Sequence, residues 1–279
     1  MPAEIIDGSQ LAKSIRSQIR RRVKGLDFTP GLAVVQVGDD PASTIYVANK
    51  EKDCKRVNFH SEVHKMPTNT TQAEIINQVQ LLNEREEVHG IIVQMPLPNG
   101  ADGGAVIDAI SPEKDADGLS PINLGNLLIN REQVTPCTPT GVIRLIESTG
   151  IEIEGKRAVC LGRSSLVGKP VGLMLLNRNA TVTYCHTRTR NLAEEIRNAE
   201  ILVVAAGKPG LVTAPMVSEG AVVIDVGISR VDNRAAGDVD YESVSEVAGY
   251  ITPVPGGVGP MTRAMLLENT LKLAIARRA

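Results

Sequence analysis

The stretch that decides the fold is an apolar run, Ala158-Val159-Cys160-Leu161, which leads directly into Gly162-Arg163-Ser164-Ser165-Leu166-Val167-Gly168-Lys169-Pro170. A short apolar run of this kind is typical of a buried parallel strand, and a helical pattern follows it. A glycine after the strand permits a tight turn, and the backbone N–H groups at the start of the helix can bind phosphate. The stretch therefore predicts one βα unit of a nucleotide-binding domain.

This turn differs from the usual dinucleotide fingerprint, Gly-x-Gly-x-x-Gly. Ser164 occupies the position of the middle glycine, and the closing glycine, Gly168, comes late. The turn alone therefore leaves two interpretations open, a phosphate site or an ordinary turn between a strand and a helix.

The end of the next predicted strand indicates the cofactor. An NAD site usually has an acidic residue there, about 20 residues after the first glycine. This chain instead has Tyr184-Cys185-His186-Thr187-Arg188-Thr189-Arg190. Guanidinium and hydroxyl groups suit the 2′-phosphate of NADP, and Arg163 could add a charge-assisted hydrogen bond. We predict NADP as the cofactor, and the alternative is that Arg188 and Arg190 are solvated residues ahead of a helix.

Strand and helix patterns alternate along most of the chain, which predicts an α/β protein with parallel sheets. In the first half we predict strands at 32–37, 62–65 and 90–93 and helices at 9–24, 43–57 and 72–83. In the second half we predict strands at 157–161, 181–185, 201–205 and 222–226 and helices at 138–148, 167–177 and 192–198.

We expect two domains with an active-site cleft between them. An N-terminal αβα catalytic domain with a mainly parallel sheet would cover residues 1–137, and a C-terminal Rossmann-like NADP-binding domain would cover 138–260. Residues 115–139 have no clear period, so we interpret them as the connection between the domains. The last helix, within 261–279, could pack on either domain.

Composition limits the function further. The chain has 279 residues, of which 42% are hydrophobic and only 2% aromatic, so we expect an aliphatic core and no stacking of nucleic-acid bases. The net charge of −2 gives no basic field for nucleic acid or membranes. The cysteines and histidines have no metal-ligand spacing, and we find no leader pattern and no apolar run of ~20 residues. We expect a cytoplasmic enzyme with a small-molecule partner and no metal.

Polar side chains follow the predicted strands of the first half. Tyr46 and Lys50 stand four residues apart and share one helix face, and Gln94 comes where the strand 90–93 ends. Because functional groups gather at the carboxyl ends of parallel strands, we regard these three as candidates. Asp115 and Asp117 are candidates too, although a simple turn beside Gly118 would also account for them.

The residues now form a recognisable set of five motifs in chain order. They are Tyr46-x-x-x-Lys50, Gln94-Met95-Pro96-Leu97-Pro98, Lys114-Asp115-Ala116-Asp117-Gly118, Gly162-Arg163-Ser164-x-x-Val167-Gly168-x-Pro170, and Pro255-Gly256-Gly257-Val258-Gly259-Pro260-Met261-Thr262. The set closely resembles the bifunctional methylenetetrahydrofolate dehydrogenase/cyclohydrolase family over nearly the whole chain. Met95 and Ala116 replace the commoner Leu and Val of that family.

The resemblance implies two reactions. NADP takes a hydride from 5,10-methylenetetrahydrofolate, and water then opens the methenyl ring to give 10-formyltetrahydrofolate. With this resemblance, we expect Lys50 to transfer the protons, with its pKa lowered by partial burial, by the bound cation or by Gln94, whose carbonyl holds the amine. It also implies that Tyr46 stacks on the p-aminobenzoyl ring, that the carboxylate of Asp117 accepts hydrogen bonds from the pterin, and that Ser43 positions the ligand.

The resemblance implies further binding residues. Pro255, Gly256 and Gly257 belong to an irregular loop, 252–260, which we expect to line the cleft on the substrate side. Cofactor contacts are expected from residues of the turn and of the two following strand ends: Gly162, Arg163, Ser164, Val167, Gly168, Thr187, Arg188 and, at the nicotinamide end, Ile228. A homodimer that pairs through the cofactor domains is expected.

Two other functions stay open at this point. One is a different NADP-dependent enzyme with the same two-domain plan, such as a shikimate or amino-acid dehydrogenase, which would need no aromatic platform like Tyr46. The other is a folate or nucleotide binder without catalysis, against which Lys50 argues.

Overall fold

A computed structural model describes residues 2–231 and 234–278, apart from the side chain of Arg234. The chain divides into two compact units. The three-stranded unit consists of Lys13–Cys137 and the residues from Arg263 onward, and the six-stranded unit consists of the residues up to Ala12 and Thr138–Thr262.

The strands, in chain order, are β1 (Glu4–Ile5), β2 (Gly31–Val37), β3 (His60–Met66), β4 (Gly90–Val93), β5 (Arg157–Leu161), β6 (Thr181–Cys185), β7 (Ile201–Val204), β8 (Val222–Asp225), β9 (Ser229–Val231), β10 (Arg234–Ala236) and β11 (Tyr250–Ile251). The α-helices are α1 (Gly8–Val23), α2 (Pro41–Arg56), α3 (Gln72–Glu84), α4 (Gly103–Asp108), α5 (Pro121–Leu128), α6 (Cys137–Ser148), α7 (Gly168–Leu176), α8 (Leu192–Arg197), α9 (Tyr241–Val244) and α10 (Val258–Ala276).

The sheet of the three-stranded unit is parallel, in the order β3-β2-β4. Every residue of β2 is buried, as expected for the central strand of a parallel sheet that is covered on both faces. Val34 lies between Val63 of β3 and Ile92 of β4, so β2 and β4 end at neighbouring positions. The predicted strands and helices of the first half are therefore confirmed.

The larger sheet has the order β1-β11-β8-β7-β5-β6 and is also parallel. The central strand β5 pairs with β6 on one side and with β7 on the other, and Gly162 follows its last residue. Because all of these strands run the same way, the loops after β5, β6, β7 and β8 leave the same edge of the sheet.

Both units have aliphatic cores, as the composition predicts. The core of the six-stranded unit includes Leu161, Leu202 and Val223, and that of the three-stranded unit includes Ile75 and Ile91. Phe59 is the only buried aromatic residue in the described part of the chain. No helix in that part combines the length and the hydropathy that crossing a bilayer requires.

The structure corrects the predicted N-terminal boundary. We expected residues 1–137 to form one domain, but β1 pairs with β11, with Glu4 opposite Tyr250, so the residues up to Ala12 belong to the six-stranded unit. A strand of two residues has no hydrophobic period, so only its backbone pairing shows where it belongs.

Two predicted irregular segments contain helices. Within 115–139, α5 begins after Ser120, whose hydroxyl accepts a hydrogen bond from the N–H of Asn123, and Pro121 occupies the first helical turn. Within 252–260, the residues from Val258 already belong to α10. Proline and glycine are disfavoured inside a helix. The first turn tolerates Pro260, because the N–H groups of a first turn have no partners within the helix.

Candidate active site

The first site residues stand on α2, which follows β2. The carboxylate of Asp40 accepts a hydrogen bond from the N–H of Ser43 at 2.7 Å and so caps the helix, with Pro41 in its first turn. Tyr46 and Lys50 follow one turn apart, which brings both to the same face. Tyr46 is 43% exposed, which leaves its ring available to a ligand. Ser43 is buried at the start of the helix.

Lys50 and Gln94 form the predicted pair. The Nζ of Lys50 donates a hydrogen bond to Oε1 of Gln94 at 2.8 Å, and Nε2 of Gln94 donates one to the backbone oxygen of Met95 at 2.7 Å. The second bond fixes the orientation of the amide, so that its carbonyl faces the amine. Gln94 directly follows β4, and its place at the strand end brings it to α2.

Burial controls the ionisation of this cluster. Desolvation lowers the pKa of Lys50, and the charge of Arg263 lowers it further, whereas Asp117 and Cys137 act to raise it. Desolvation also raises the pKa of Asp117, although the charge of Lys50 opposes that shift. An amine with a lowered pKa is a better base near neutral pH than an ordinary lysine, whose pKa is about 10.4.

The acidic loop divides into structural and candidate functional residues. The oxygens of Asp115 accept hydrogen bonds from the N–H of Gly118 at 2.9 Å, the N–H of Ser120 at 2.7 Å and Nδ2 of Asn123 at 2.9 Å. Asp115 therefore forms the turn, as the alternative interpretation held. Lys114 is structural too, because its Nζ donates hydrogen bonds to backbone oxygens in and just after α3. Asp117 is the carboxylate that interacts with Lys50.

In the six-stranded unit, the turn after β5 is tightly packed. Gly162 has a φ of +133°, and a Cβ on it would lie 2.3 Å from the backbone oxygen of Ala205. A Cβ on Gly168 would lie 2.2 Å from the backbone oxygen of Gly162. Both positions therefore require glycine, which the spacing of the motif alone does not reveal.

The serine in place of the middle glycine caps the next helix. The Oγ of Ser164 accepts hydrogen bonds from the N–H groups of Val167 at 3.1 Å and Gly168 at 3.4 Å, at the start of α7. Arg163 and Ser164 are exposed. The turn thus presents the exposed side chain of Arg163 on the surface of the unit.

The other cofactor candidates lie at neighbouring strand ends. The N–H of Gly162 donates to the backbone oxygen of Cys185 at 2.9 Å, which ties the turn to the end of β6. The following residues, Thr187 and Arg188, are exposed, and the N–H of Arg188 donates to Nδ1 of His186 at 3.1 Å. Ile228, after β8, is 60% exposed.

The sequence reasoning missed two buried carboxylates in this unit. Asp225 accepts hydrogen bonds from the backbone N–H groups of Gly227, Asp238 and Val239, and burial raises its pKa to about 6. Oδ2 of Asp238 accepts from the N–H groups of the two residues 206 and 207, at 2.6 and 2.7 Å. The two carboxylates therefore hold the loops that follow β7 and β8.

The glycines next to these carboxylates were the available signal. A Cβ on Gly227 would lie 2.3 Å from Cγ of Asp238, and one on Gly237 would lie 1.9 Å from Oδ2 of Asp225. A glycine within two residues of an aspartate, at 225–227 and again at 237–238, thus marks close approaches of backbone to carboxylate.

The loop that contains Pro255, Gly256 and Gly257 lies in the six-stranded unit. Gly256 has a φ of +115°, and its backbone oxygen accepts a hydrogen bond from the hydroxyl of Ser9 at 3.3 Å. A Cβ on Gly8 would lie 1.9 Å from the backbone oxygen of Gly257, so the loop packs directly on the start of α1. Pro255 is exposed and Gly257 is buried.

The structure thus groups the predicted residues into two sets. Lys50, Gln94 and Asp117 form one cluster in the three-stranded unit, and the turn after β5 with the strand ends beside it forms the other. A Rossmann-like parallel sheet with a glycine-lined turn after β5, together with a separate α/β unit that holds a half-buried lysine among polar groups, is the plan of a two-domain dehydrogenase.

Two family models match the chain in sequence. The catalytic domain of tetrahydrofolate dehydrogenase/cyclohydrolase matches residues 6–117, and the NAD(P)-binding domain of the same family matches residues 136–278. The chain therefore belongs to the tetrahydrofolate dehydrogenase/cyclohydrolase family.

Relatives and solved structures agree over the full length. The bifunctional protein FolD of Moorella thermoacetica is 54% identical over 278 residues, which cover 98% of this chain and 99% of that protein. The crystal structure of the bifunctional enzyme FolD from Campylobacter jejuni matches with a TM-score of 0.96 at 44% identity, covering 99% of both chains. A Trypanosoma brucei FolD, solved with NADP and an inhibitor, matches with a TM-score of 0.94 at 40% identity, covering 100% of both chains.

Proposed function

We propose that this chain is a bifunctional one-carbon folate enzyme. It oxidises 5,10-methylenetetrahydrofolate to 5,10-methenyltetrahydrofolate with NADP⁺ and then hydrolyses the product to 10-formyltetrahydrofolate. The observation that carries this proposal is the hydrogen bond between Lys50 and Gln94 beside Asp117, in a chain of this family. A different NADP-dependent dehydrogenase, the alternative left open by the sequence, is not favoured, because the family match spans both domains.

The residues of the six-stranded unit suit NADP. The turn between Gly162 and α7 is the proposed pyrophosphate site, and glycines 162 and 168 let the backbone pack closely there. The N–H groups of Val167 and Gly168 already bond to Ser164, so the backbone donors for the ligand are those of the turn ahead of Val167. Val167 and Ser164 shape that helix start. Arg163, Thr187 and Arg188 are exposed hydroxyl and guanidinium groups of the kind that bind a 2′-phosphate. Ile228 offers an exposed apolar contact for the nicotinamide end.

The oxidation needs orientation more than acid or base catalysis. NADP⁺, when bound, accepts the hydride from the one-carbon bridge, and the electron pairs of the two adjacent folate nitrogens stabilise the cation that remains. The chain's residues therefore have to hold the bridge carbon in line, which lowers the entropic part of the barrier.

The hydrolysis needs proton transfer, and we assign it to Lys50. The neutral amine removes a proton from water as the water oxygen forms a bond to the bridge carbon. The ammonium then returns a proton to N5 of the folate as the bond between that carbon and N5 breaks. The hydroxyl of the intermediate releases its proton to solvent as the formyl C=O bond forms, which leaves the formyl group on N10. Gln94 holds the amine in position through its carbonyl oxygen. Such a group typically contributes 10²- to 10⁴-fold to a rate, as an order of magnitude.

Other residues bind the folate. The exposed ring of Tyr46 lies one helical turn before Lys50, where it can stack on the p-aminobenzoyl ring. The carboxyl group of Asp117 accepts hydrogen bonds from the pterin, and Ser43 helps to position the ligand. Pro255, Gly256 and Gly257 contribute contacts from the six-stranded unit.

The assembly and the compartment are proposals as well. We assign a homodimer that pairs through the six-stranded unit, since β6 is an edge strand and Tyr184 and Leu176 expose apolar surface there. Sedimentation at micromolar concentration should give twice the chain mass of 29.8 kDa, and the mass of one chain would refute the dimer. We assign a cytoplasmic location, since the cysteines 54, 137, 160 and 185 are unpaired and buried.

An absorbance assay of 5,10-methylenetetrahydrofolate with NADP⁺ tests the two-step function. The methenyl product should form and then decay as 10-formyltetrahydrofolate accumulates. Formation without enzymatic decay would refute the second activity, and no formation would refute the first. Equal kcat/KM values for NADP⁺ and NAD⁺ would refute the assignment of the 2′-phosphate site.

A further inference from the structure

A strongly basic pocket lies in the three-stranded unit, on residues that the proposed reactions do not use. It is a cavity of about 380 Å³ between α1 and α2, lined by Lys13, Arg16, Ser17, Arg20 and Arg56. Four of the five lining side chains are cations, the fifth is a hydroxyl, and no carboxylate is among them. The volume is within the range of small-molecule sites, roughly 300–1,000 Å³.

One carboxylate, that of Asp53, compensates the positive charge of Arg16 and Arg56 in the lining of this pocket. Asp53 is buried, and three guanidinium groups share its carboxylate. Nη1 of Arg56 lies 2.9 Å from Oδ1, Nη1 of Arg263 lies 3.0 Å from Oδ2, and Nε of Arg16 lies 3.8 Å from Oδ1. One buried negative charge thus serves three positive charges, of which Arg56 is exposed to solvent and Arg16 and Arg263 are partly buried.

Arg16 has the least satisfied side chain of this cluster. Its Nη1 is buried and has no hydrogen-bond partner within the described part of the chain. Burial lowers the pKa of Arg16, and the charges of Arg263 and Arg56 lower it further against the opposing charge of Asp53. Oδ2 of Asp53, in the same cluster, is likewise buried without a hydrogen-bond partner in the described part of the chain, so the three guanidinium groups do not pair fully with this one carboxylate.

Two further cations of the pocket lining, Lys13 and Arg20, have no acidic partner among the residues that the structure describes. Lys13 and Arg20 are exposed, and in the described residues no carboxylate oxygen lies within 4 Å of either side chain. Both stand on α1, on the same face as Arg16 and Ser17, because they recur at a spacing of three to four residues. Guanidinium groups in such a cluster match the geometry of carboxylate and phosphate oxygens.

We propose that this pocket binds an oxyanion ligand, a molecule with two or more carboxylate or phosphate groups. The ligand neutralises Lys13 and Arg20 and adds negative charge next to the three guanidinium groups that share Asp53. It binds in addition to the folate and the cofactor, because its site shares no residue with either proposed site.

Calorimetric titration of the full-length protein tests the pocket with two probes, inorganic pyrophosphate and a linear triglutamate peptide. Ionic strength is held constant with NaCl, and NADP⁺ is present at saturation so that the phosphate-binding turn is filled. The test variant is Lys13→Gln combined with Arg20→Gln. The matched control is Arg21→Gln combined with Arg22→Gln, which removes the same charge from exposed positions of the same helix, outside the pocket lining.

We expect the wild type to bind at least one probe in a saturable manner, the test variant to bind it at least about tenfold more weakly, and the control to stay within about twofold of the wild type. Tighter binding of pyrophosphate would assign the pocket to phosphates, and tighter binding of triglutamate would assign it to carboxylates. Failure of both probes to bind the wild type would overturn the proposal. Equal weakening in both double variants would also overturn it. That result would mean that the probe responds to the total positive charge of α1 and not to the pocket.

Discussion

The two clusters that the structure assembles are built on different principles. Around Lys50, the arrangement consists of side chains whose ionisation is shifted by burial and by one another, with Gln94 as a fixed acceptor. Around Gly162, it consists of closely packed backbone, and the cationic side chains lie on the surface, exposed to solvent. The first arrangement is suited to moving protons, and the second is suited to holding a ligand.

The carboxylates of the two units show the same contrast. Asp117 interacts with a lysine and is proposed to bind substrate, whereas Asp225 and Asp238 bond to backbone N–H groups and hold loops. A buried carboxylate with a raised pKa is therefore not by itself evidence of catalysis in this protein. The hydrogen-bond partners of a carboxylate decide its role. Because the two clusters have different roles, a substitution in the Lys50 cluster should leave NADP⁺ binding measurable, and a substitution at the Gly162 turn should leave hydrolysis measurable.

The largest effect is expected for Lys50→Met. Hydrolysis of added methenyltetrahydrofolate should lose about 10³-fold in kcat, because the group that transfers protons is gone. The oxidation should lose much less, since orientation dominates that step. Lys52→Met, on the same helix but exposed, is the control and should keep both activities. Hydrolysis within tenfold of the wild type in Lys50→Met would contradict the assignment.

Gly162→Ala should damage the other cluster. Its Cβ would lie 2.3 Å from the oxygen of Ala205, so the turn has to move, and we expect NADP⁺ to bind about 100-fold more weakly, which corresponds to ~3 kcal/mol. Hydrolysis without cofactor should persist. Gly155→Ala matches it as a glycine with a positive φ of +76° and open space around it, and it should bind NADP⁺ normally. Unchanged affinity in Gly162→Ala would break the contrast between the clusters.

A smaller and more selective loss is expected for Arg188→Gln. The KM for NADP⁺ should rise about 10- to 30-fold, as expected for one charge-assisted hydrogen bond worth roughly 1.5–2 kcal/mol, while the KM for NAD⁺ should stay constant. Steady-state kinetics with both cofactors measures this. Arg190→Gln is the comparison, because it removes the same charge two residues later. An equal loss with NADP⁺ and NAD⁺ would show that Arg188 does not read the 2′-phosphate.

The smallest effect is expected for Ser164→Ala. Loss of the hydroxyl that caps α7 should lower the free energy of unfolding by about 1 kcal/mol and raise the KM for NADP⁺ only a few-fold. Chemical denaturation of this variant beside Ser165→Ala, an exposed neighbour, measures the difference. If the two variants had the same free energy of unfolding, Ser164 would not stabilise the start of α7.

The sequence predicted the long regular elements and much of the first cluster. Apolar runs such as 32–37 and 158–161 identify buried strands by themselves, and strand ends then place Gln94 near α2. The short β1 and the first turn of α10 were missed, because backbone pairing and terminal helix positions leave no period in the side chains. The acidic loop by itself did not separate Asp115 from Asp117, and only the family resemblance assigned the pterin contact to Asp117. The two residues stand in one loop and differ in partners that the loop sequence does not show.

The backbone contacts of the second cluster were beyond prediction for a related reason. A motif shows that Gly162 and Gly168 occur, but only coordinates show that each faces a carbonyl oxygen. The same holds for Asp238, whose partners are N–H groups of the loop after β7, about 30 residues earlier in the chain.

The central claim is that burial turns Lys50 into the proton-transfer group, and NMR titration of its side-chain amine tests it most directly. The Lys50 signal is assigned by its loss in Lys50→Met. Because desolvation lowers the pKa of Lys50, the amine should titrate below the ordinary lysine value of about 10.4, and the kcat of hydrolysis should rise with pH over the same range. Titration of Lys50 at the ordinary lysine value, with hydrolysis already at its maximum at neutral pH, would contradict the account.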